Sequence, residues 1–179
     1  RVPMLKLLKD ATGCDLGDVS DDEIQAVCKK NNIEVGGTWN YGQMLDELMS
    51  KLVEPKLIQP TFIIDYPKAI SPLAKVHRNG DPNLVERYEL FIGGAEFANS
   101  FSELNDPVDQ RERLEAQAAL KEKGDEEAQP VDEQFIQAME CGMPPTGGVG
   151  LGIDRLTMLL TENRWIKDVI LFPAMRPKK

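Results

Sequence analysis

The sequence is poor in the side chains that bind metals through nitrogen or sulfur. Its 179 residues include three cysteines and one histidine. Cys14, Cys28 and Cys141 form no CxxC pair, and His77 is distant from all three in the sequence. These features exclude a disulfide framework and a structural zinc site. We therefore expect the cysteines to be small buried apolar residues in a reducing compartment.

Positive charge is also scarce. The chain has 21 Lys and Arg residues against 30 Asp and Glu residues, which gives a net charge of −9. Nucleic-acid binders need clustered Lys and Arg to contact phosphates, so the charge argues against that class for the stretch as a whole. No apolar run approaches the roughly 20 residues of a membrane span, and the N-terminus shows no signal-peptide pattern. We expect a cytoplasmic protein with no membrane partner.

The densest pattern is in residues 142–160, GMPPTGGVGLGIDRLTMLL. Gly148, Gly150 and Gly152 recur at every second position. Because side chains alternate in a strand, one face of such a ribbon would be bare backbone, on which a planar ring could lie. The spacing matches neither the dinucleotide fingerprint nor a phosphate loop. The glycines are equally compatible with a tight bend or a close backbone approach.

Arg155 follows the ribbon, in the first turn of a helix for which Asp154 is the predicted cap. A cation at this position faces the positive end of the helix dipole, which is unfavourable by roughly 0.3–1 kcal/mol. This local cost suggests that Arg155 serves another purpose, such as holding a phosphate. The alternative is a solvated surface arginine.

A second stretch, residues 86–106, predicts a β-hairpin with Gly-Gly at residues 93–94 as its turn. A two-residue loop places Glu89 opposite Ala98, with Glu96 on the same face about 7–8 Å away at the backbone. Two carboxylates converging on one face repel each other, and a hydrated Mg²⁺ shared with substrate phosphates would relieve this repulsion. The alternative is that both glutamates face water.

The chain as a whole is predicted to divide into two segments. Residues 1–53 form a helical segment, with a capping box at residues 20–23 starting one of its helices. Residues 54–179 contain the strands, including short ones at residues 61–66 and 169–173.

Several of these stretches together resemble the class II aminoacyl-tRNA synthetases. GGVGLGIDR, at residues 147–155, is similar to motif 3 of that family. TFIIDYPKAISPLA, ELFIGGAEFANSFSELND and DVILFPAMRP are similar to its lysine-specific members, the lysyl-tRNA synthetases. The resemblance covers essentially the whole chain. It implies an α+β fold, part of a catalytic core with a mainly antiparallel sheet flanked by helices.

The resemblance also implies an activity. These enzymes activate lysine with ATP to lysyl-adenylate and pyrophosphate, then transfer the lysyl group to tRNA(Lys). Arg155 matches the motif 3 arginine, the catalytic residue that holds the ATP phosphates. Gly150 lies in the strand that packs against the substrates. Glu89 and Glu96 match the Mg²⁺ ligands and so contribute to ATP binding.

Further residues match the family's lysine pocket: Asn99, Phe101, Glu103 and Gly152. Glu103 would pair with the side-chain ammonium of lysine. A regular hairpin, however, places Asn99, Phe101 and Glu103 on the face opposite Glu89 and Glu96. A β-bulge or break between Phe97 and Asn99 would reconcile the hairpin with the family's site.

The family's motif 1, which builds its homodimer, its motif 2 and its anticodon-binding barrel match no part of these residues. We therefore expect the C-terminal part of a catalytic domain, inactive alone. One alternative is a paralogue that lysylates an elongation factor, against which residues 1–53 count because they resemble the insertion of the full synthetase. The other is a non-catalytic binding module, against which the joint presence of Glu89, Glu96, Glu103 and Arg155 counts.

Overall fold

A computed structural model describes residues 1–36, 39–122 and 130–174. At its centre is a five-stranded sheet in which the strands lie in chain order. The first two strands are parallel and all other neighbours are antiparallel. The predicted α+β class, with a mainly antiparallel sheet flanked by helices, is confirmed.

The strands are β1 (Val2–Pro3), β2 (Thr61–Pro67), β3 (Leu84–Ile92), β4 (Ala95–Ser102) and β5 (Gly147–Leu151). The helices are α1 (Met4–Thr12), α2 (Asp21–Lys30), α3 (Tyr41–Leu48), α4 (Pro107–Glu122), α5 (Glu133–Glu140) and α6 (Ile153–Leu160). A π-helical turn (Met49–Val53) extends α3, and 3₁₀ turns occur at Glu54–Lys56, Lys68–Ile70 and Ile166–Asp168. Within the described ranges, no helix combines the length and the apolar character needed to cross a bilayer.

Local sequence signals determine where several helices begin. The predicted capping box is present at α2: the Ser20 side chain accepts from the Glu23 backbone, and the Glu23 side chain accepts from the Ser20 backbone. The predicted cap at Asp154 is wrong. Helix α6 begins at Ile153 with Gly152 as its N-cap residue, and no side chain caps it. Asp154 instead lies in the first turn, where its charge suits the helix dipole.

The core lies between helices α1–α3 and one face of the sheet. Helical residues such as Leu8, Ile24 and Leu45 are fully buried and belong to one apolar cluster with Ile63 and Val85 of the strands. Burial of apolar area stabilises this layer by about 25 cal/mol per Å². The predicted boundary between residues 1–53 and 54–179 stays a prediction.

Two expectations about individual stretches are wrong. Residues 169–173 form a turn and a bend instead of a strand, and Leu171 and Phe172 are about 90% exposed. No other described strand lies alongside them to supply ladder hydrogen bonds. Of the three cysteines predicted to be buried, only Cys28 is, whereas Cys14 is half-buried and Cys141 is exposed. The last residues of the DVILFPAMRP stretch lie outside the described part of the chain.

Candidate functional site

The β3–β4 hairpin holds most of the predicted site. Gly93 and Gly94 have φ of +61° and +77°, a conformation that glycine adopts without strain, and they form the predicted two-residue turn. The predicted pairs next to the turn, Ile92–Ala95 and Phe91–Glu96, are confirmed. The predicted Glu89–Ala98 pair is wrong. The register shifts at Phe97, so that Glu89 pairs with Asn99.

This register shift decides which side chains meet. Phe97 is an extra residue in β4 that has no partner of its own in β3. Directly paired residues project to the same face, so the shift places Asn99 beside Glu89, and the Glu96–Phe91 pair lies on this face as well. The shift falls between Glu96 and Ala98, one residue earlier than predicted. We call this side of the hairpin the acidic face.

The Glu89 carboxylate is held by two neighbours. Its Oε1 accepts from Arg87 Nη2 at 2.6 Å, and its Oε2 accepts from the Tyr66 hydroxyl at 2.7 Å. The Glu89 side chain is only 14% exposed. Burial, together with the Glu89 charge, raises the pKa of Tyr66, so the hydroxyl stays protonated and donates. The two contacts fix the carboxylate in one orientation.

A third carboxyl group lies near the two predicted metal ligands. Burial raises the pKa of Glu54, and the negative charges of Glu89 and Glu96 raise it further. The backbone carbonyls of Leu57 and Ile58, just after Glu54, accept from Gly94 and Gly93 of the turn at 3.0 Å. The segment after α3 is therefore attached to the hairpin tip, where it adds negative charge beside the acidic face.

The residues present fit a magnesium ion that is shared with a phosphate. In nucleotide sites Mg²⁺ is usually held by one or two carboxylates and substrate oxygens, without a full protein cage. Glu89 and Glu96 supply such carboxylates on one face, and each Glu89 oxygen keeps further lone pairs beyond its one hydrogen bond. Among the described residues, no three His, Cys, Asp or Glu side chains form a group able to hold a metal without other ligands.

Glu103 lies just beyond β4, next to the glycine ribbon. Its backbone N–H donates to the Thr146 carbonyl at 2.9 Å, and its Oε1 occupies the space where a side chain at Gly148 would begin. Its side chain is half-buried, and burial raises the pKa of Glu103. No hydrogen bond or ion pair joins its carboxylate to another described residue. This half-buried carboxylate is therefore a candidate for binding a cation.

The glycine ribbon is β5, and it extends the acidic face. Gly150 pairs with Asn99 and Gly148 pairs with Phe101, whereas Val149 and Leu151 project to the opposite face. A Cβ at position 150 would have only the Asn99 carbonyl nearby, at 3.7 Å. The ribbon next to Asn99 is thus open backbone, as the sequence pattern predicts.

Arg155 and Gly152 lie at the end of this ribbon. The Gly152 N–H donates to the Phe97 carbonyl at 2.8 Å, and Arg155 Nη1 donates to the Glu96 carbonyl. Arg155 is exposed, so most of its guanidinium donors remain available. Arg155 also lines a cavity of about 650 Å³ with Ala95 and Phe97, and Glu89 does not line that cavity. The structure brings Arg155 to the backbone of Glu96, next to the register shift.

Reasoning from the sequence missed two residues of this site, Tyr66 and Arg87, and the contact of a third, Gly148. Arg87 lies two positions before Glu89 in the same strand, so the period-2 pattern was a usable signal. Gly148 belongs to the recognised ribbon, but its contact with Glu103 depends on strand pairing. Tyr66 had no signal, because a register irregularity next to Asp65 aligns it with this face.

Comparison with known proteins bears on the whole chain. The family model described as "tRNA synthetases class II (D, K and N)" matches residues 8–176. The chain is 52% identical to a protein of Halalkalibacterium halodurans named lysine–tRNA ligase, over 99% of the chain and 36% of that protein. It is 50% identical to a lysine–tRNA ligase of Porphyromonas gingivalis, over 100% of the chain and 31% of that protein. The chain thus spans about a third of the length of these relatives.

Proposed function

The chain belongs to the class II tRNA synthetases (D, K and N), and we propose that it forms part of an enzyme that joins lysine to tRNA(Lys) at the expense of ATP. The proposed reaction has two steps. Lysine and ATP give lysyl-adenylate and pyrophosphate, and the lysyl group then passes to the terminal ribose of the tRNA. The relatives that carry the lysine–tRNA ligase name match the chain along essentially its full length.

The observation that carries the choice of lysine is the carboxylate of Glu103. It is half-buried, has no hydrogen-bond or ion-pair partner among the described residues, and lies against the bare backbone of Gly148. A lysine ammonium would give it a charge-assisted hydrogen bond, whereas a neutral side chain would leave a partly desolvated charge unpaired. Asn99, Phe101 and Gly152 complete the proposed lysine pocket.

The phosphates of ATP are assigned to the other end of the site. The exposed guanidinium of Arg155 holds them, and the open backbone at Gly150 receives the flat part of the nucleotide. Glu89 and Glu96 hold Mg²⁺, which supplies positive charge to a phosphate that becomes more negative during attack. No protein nucleophile is required, because the lysine carboxylate attacks directly and positioning supplies much of the rate.

The domain assignment belongs to the same proposal. Residues 1–53 form an insertion-like segment, and residues 54–179 form the C-terminal part of the catalytic core. We place the full-length protein in the cytoplasm as a homodimer. The 179-residue chain alone is inactive in this scheme, because the formation of the adenylate needs more phosphate-binding groups than Arg155 provides.

Lysine-dependent exchange of labelled pyrophosphate into ATP by the full-length protein, followed by charging of tRNA(Lys), tests this function. We expect both reactions with the full-length protein and neither with the 179-residue chain. Exchange by the chain alone would contradict its inactivity. Exchange without tRNA charging, but with lysylation of an elongation factor, would favour the paralogue. Absence of exchange in the full-length protein would favour the alternative of a non-catalytic binding module.

A further inference from the structure

Arg87 lies between the proposed metal ligands and the proposed lysine pocket. We propose that Arg87 is a positioning residue that orients the Glu89 carboxylate and the Asn99 amide together, and that Tyr66 assists it at Glu89 alone. The inference rests on the proposed function, because it assigns Glu89 to Mg²⁺ and Asn99 to lysine.

All three guanidinium nitrogens of Arg87 are engaged. Nη2 donates to Glu89 Oε1 at 2.6 Å and Nε donates to Asn99 Oδ1 at 3.1 Å. Nη1 donates to the Ile70 carbonyl and to Ser71 Oγ, each at 2.9 Å. These last two contacts anchor the guanidinium to the turn that follows β2. Arg87 is therefore held from behind while it holds two site residues in front.

Burial and stacking restrict Arg87 further. Its side chain is only 16% exposed. Its guanidinium carbon lies 4.7 Å from the centre of the Tyr66 ring, within the range of a cation–π contact. These contacts restrict the Arg87 side chain, which holds Glu89 and Asn99 close to one separation.

The contact with Asn99 also sets the direction of the amide. A guanidinium has donors only, so Asn99 must turn its oxygen toward Arg87. The NH₂ group of Asn99 is then directed away from Arg87. Asn99 therefore presents donors to a ligand in the lysine pocket, and a flipped amide would present an acceptor instead.

Tyr66 provides a means of separating the two effects. Its hydroxyl donates to Glu89 Oε2 at 2.7 Å, and it makes no hydrogen bond with Asn99. Loss of this hydroxyl should disturb the metal ligand alone. Loss of the Arg87 guanidinium should disturb the metal ligand and the lysine pocket together. A purely structural role would lower stability without producing this difference.

The experiment measures two binding constants in the full-length protein. Mn²⁺ replaces Mg²⁺ as an electron paramagnetic resonance probe in the presence of a non-hydrolysable ATP analogue, and calorimetry follows lysine without metal. Because loss of a partner of a metal ligand typically weakens metal binding about 10–100-fold, Tyr66→Phe should weaken Mn²⁺ at least tenfold and leave lysine unchanged. Arg87→Lys should weaken both. Arg78→Lys is the control, since Arg78 pairs with Glu86 and is 81% exposed.

Each outcome decides the matter. Unchanged Mn²⁺ binding in both variants, unchanged lysine binding in a folded Arg87→Lys variant, or equal weakening of lysine and Mn²⁺ by Tyr66→Phe would overturn the positioning role while the wild-type enzyme stays active. A wild-type protein without lysine-dependent exchange would refute the proposed function instead. Melting temperatures identify a variant that fails to fold. If Arg87→Lys is such a variant, Ser71→Ala takes its place, because it removes one of the two groups that hold Arg87 Nη1 and should also weaken both ligands.

Discussion

Glu89 and Asn99 face each other as a directly paired couple across β3 and β4, and they do so because Phe97 is an extra residue in β4. If Phe97 paired with Leu90 instead, Glu89 would lie opposite Ala98 as in a regular hairpin. Since a slip of one residue moves every following side chain to the other face of the strand, Asn99 and Glu103 would then leave the acidic face.

Insertion of one alanine after Phe97 should therefore abolish lysine recognition while the sheet is retained, because Asn99 would then lie opposite Tyr88. We expect lysine affinity to fall at least about 100-fold, the order of loss that small misplacements cause in preorganised sites. Calorimetric titration of lysine measures the change in the full-length protein. Deletion of Phe97 is the control, since it removes only the unpaired residue, keeps Asn99 opposite Glu89 and should retain lysine binding. Native affinity in a folded insertion variant would show that the register is unimportant.

Alanine at two ribbon glycines should separate the two substrates. At Gly148 the new methyl group overlaps the Glu103 carboxylate, so we expect the KM for lysine to rise about tenfold. At Gly150 the methyl group meets only the Asn99 carbonyl, at an ordinary 3.7 Å, but it projects from the surface assigned to ATP. The KM for ATP should rise there, with lysine unaffected. Pyrophosphate exchange at varied substrate concentrations measures both. The reverse pattern would contradict the assignment.

Lysine affinity should depend on pH through Glu103. Burial raises the pKa of this carboxyl above its ordinary 4.5, so its negative charge is lost at a higher pH than usual as the solution is acidified. The KM for lysine should rise as the pH falls through this raised pKa. The raised pKa of Glu103 affects the folding stability of the unliganded protein in the opposite direction. Glu103 contributes stability at pH values below its ordinary pKa, and this contribution is lost as the pH rises through its raised pKa.

Glu103→Gln removes both the charge and its titration. Because a hydrogen bond to a charged group contributes about 1.5–3 kcal/mol, the KM for lysine should rise about 10–100-fold at neutral pH. It should also lose its dependence on pH in the acid range. Glu112→Gln, on the exposed side of α4, is a suitable control. A pH profile that Glu103→Gln leaves intact would assign the titration to another group.

Arg155→Ala should weaken the use of ATP and not the binding of lysine. The exposed guanidinium is assigned to the triphosphate, and loss of such a charged contact is expected to raise the KM for ATP at least about tenfold. Arg164 lines the same cavity as Arg155, and Arg164→Ala should leave this KM unchanged. Kinetics at saturating lysine provide the measurement. Equal effects of the two substitutions would indicate a general loss of positive charge.

Acid stability should depend on the Arg78–Glu86 pair. The Arg78 guanidinium, with the Ser102 hydroxyl, lowers the pKa of Glu86 to about 2. Because its pKa is lowered, Glu86 contributes folding stability at pH values above its ordinary pKa of 4.5, and this contribution is lost as the pH falls toward 2. Arg78→Met should therefore move the midpoint of acid unfolding to higher pH. Lys6→Met, at an exposed pair with Asp10, should leave it unchanged.

Much of the fold follows from local signals in the chain. The capping box at Ser20, the Gly93-Gly94 turn and the strand that ends at Pro67 act within a few residues, so their patterns predict them correctly. Residues 169–173 show the limit of such reasoning. An apolar run with β-branched residues becomes a strand only where another strand pairs with it.

The site was less predictable than the fold. The sequence identified Glu89, Glu96 and the glycine ribbon as candidates, but their spacing alone left solvent exposure as an alternative. The roles assigned to Arg155, Gly150 and the lysine-pocket residues come from the family resemblance and stay predictions. The contacts of Tyr66 and Arg87 appear only when two strands are aligned, because each links residues that are far apart in the chain.

The sequence by itself determined the family, the main helices and strands, and the residue types that can hold a phosphate, a divalent cation and an ammonium group. Those properties depend on local composition and spacing. Only the tertiary structure decided which of these side chains share a surface. One unpaired residue in β4 changes the register of every residue after it, and whether a chain accommodates that residue depends on packing between strands, which local sequence does not encode.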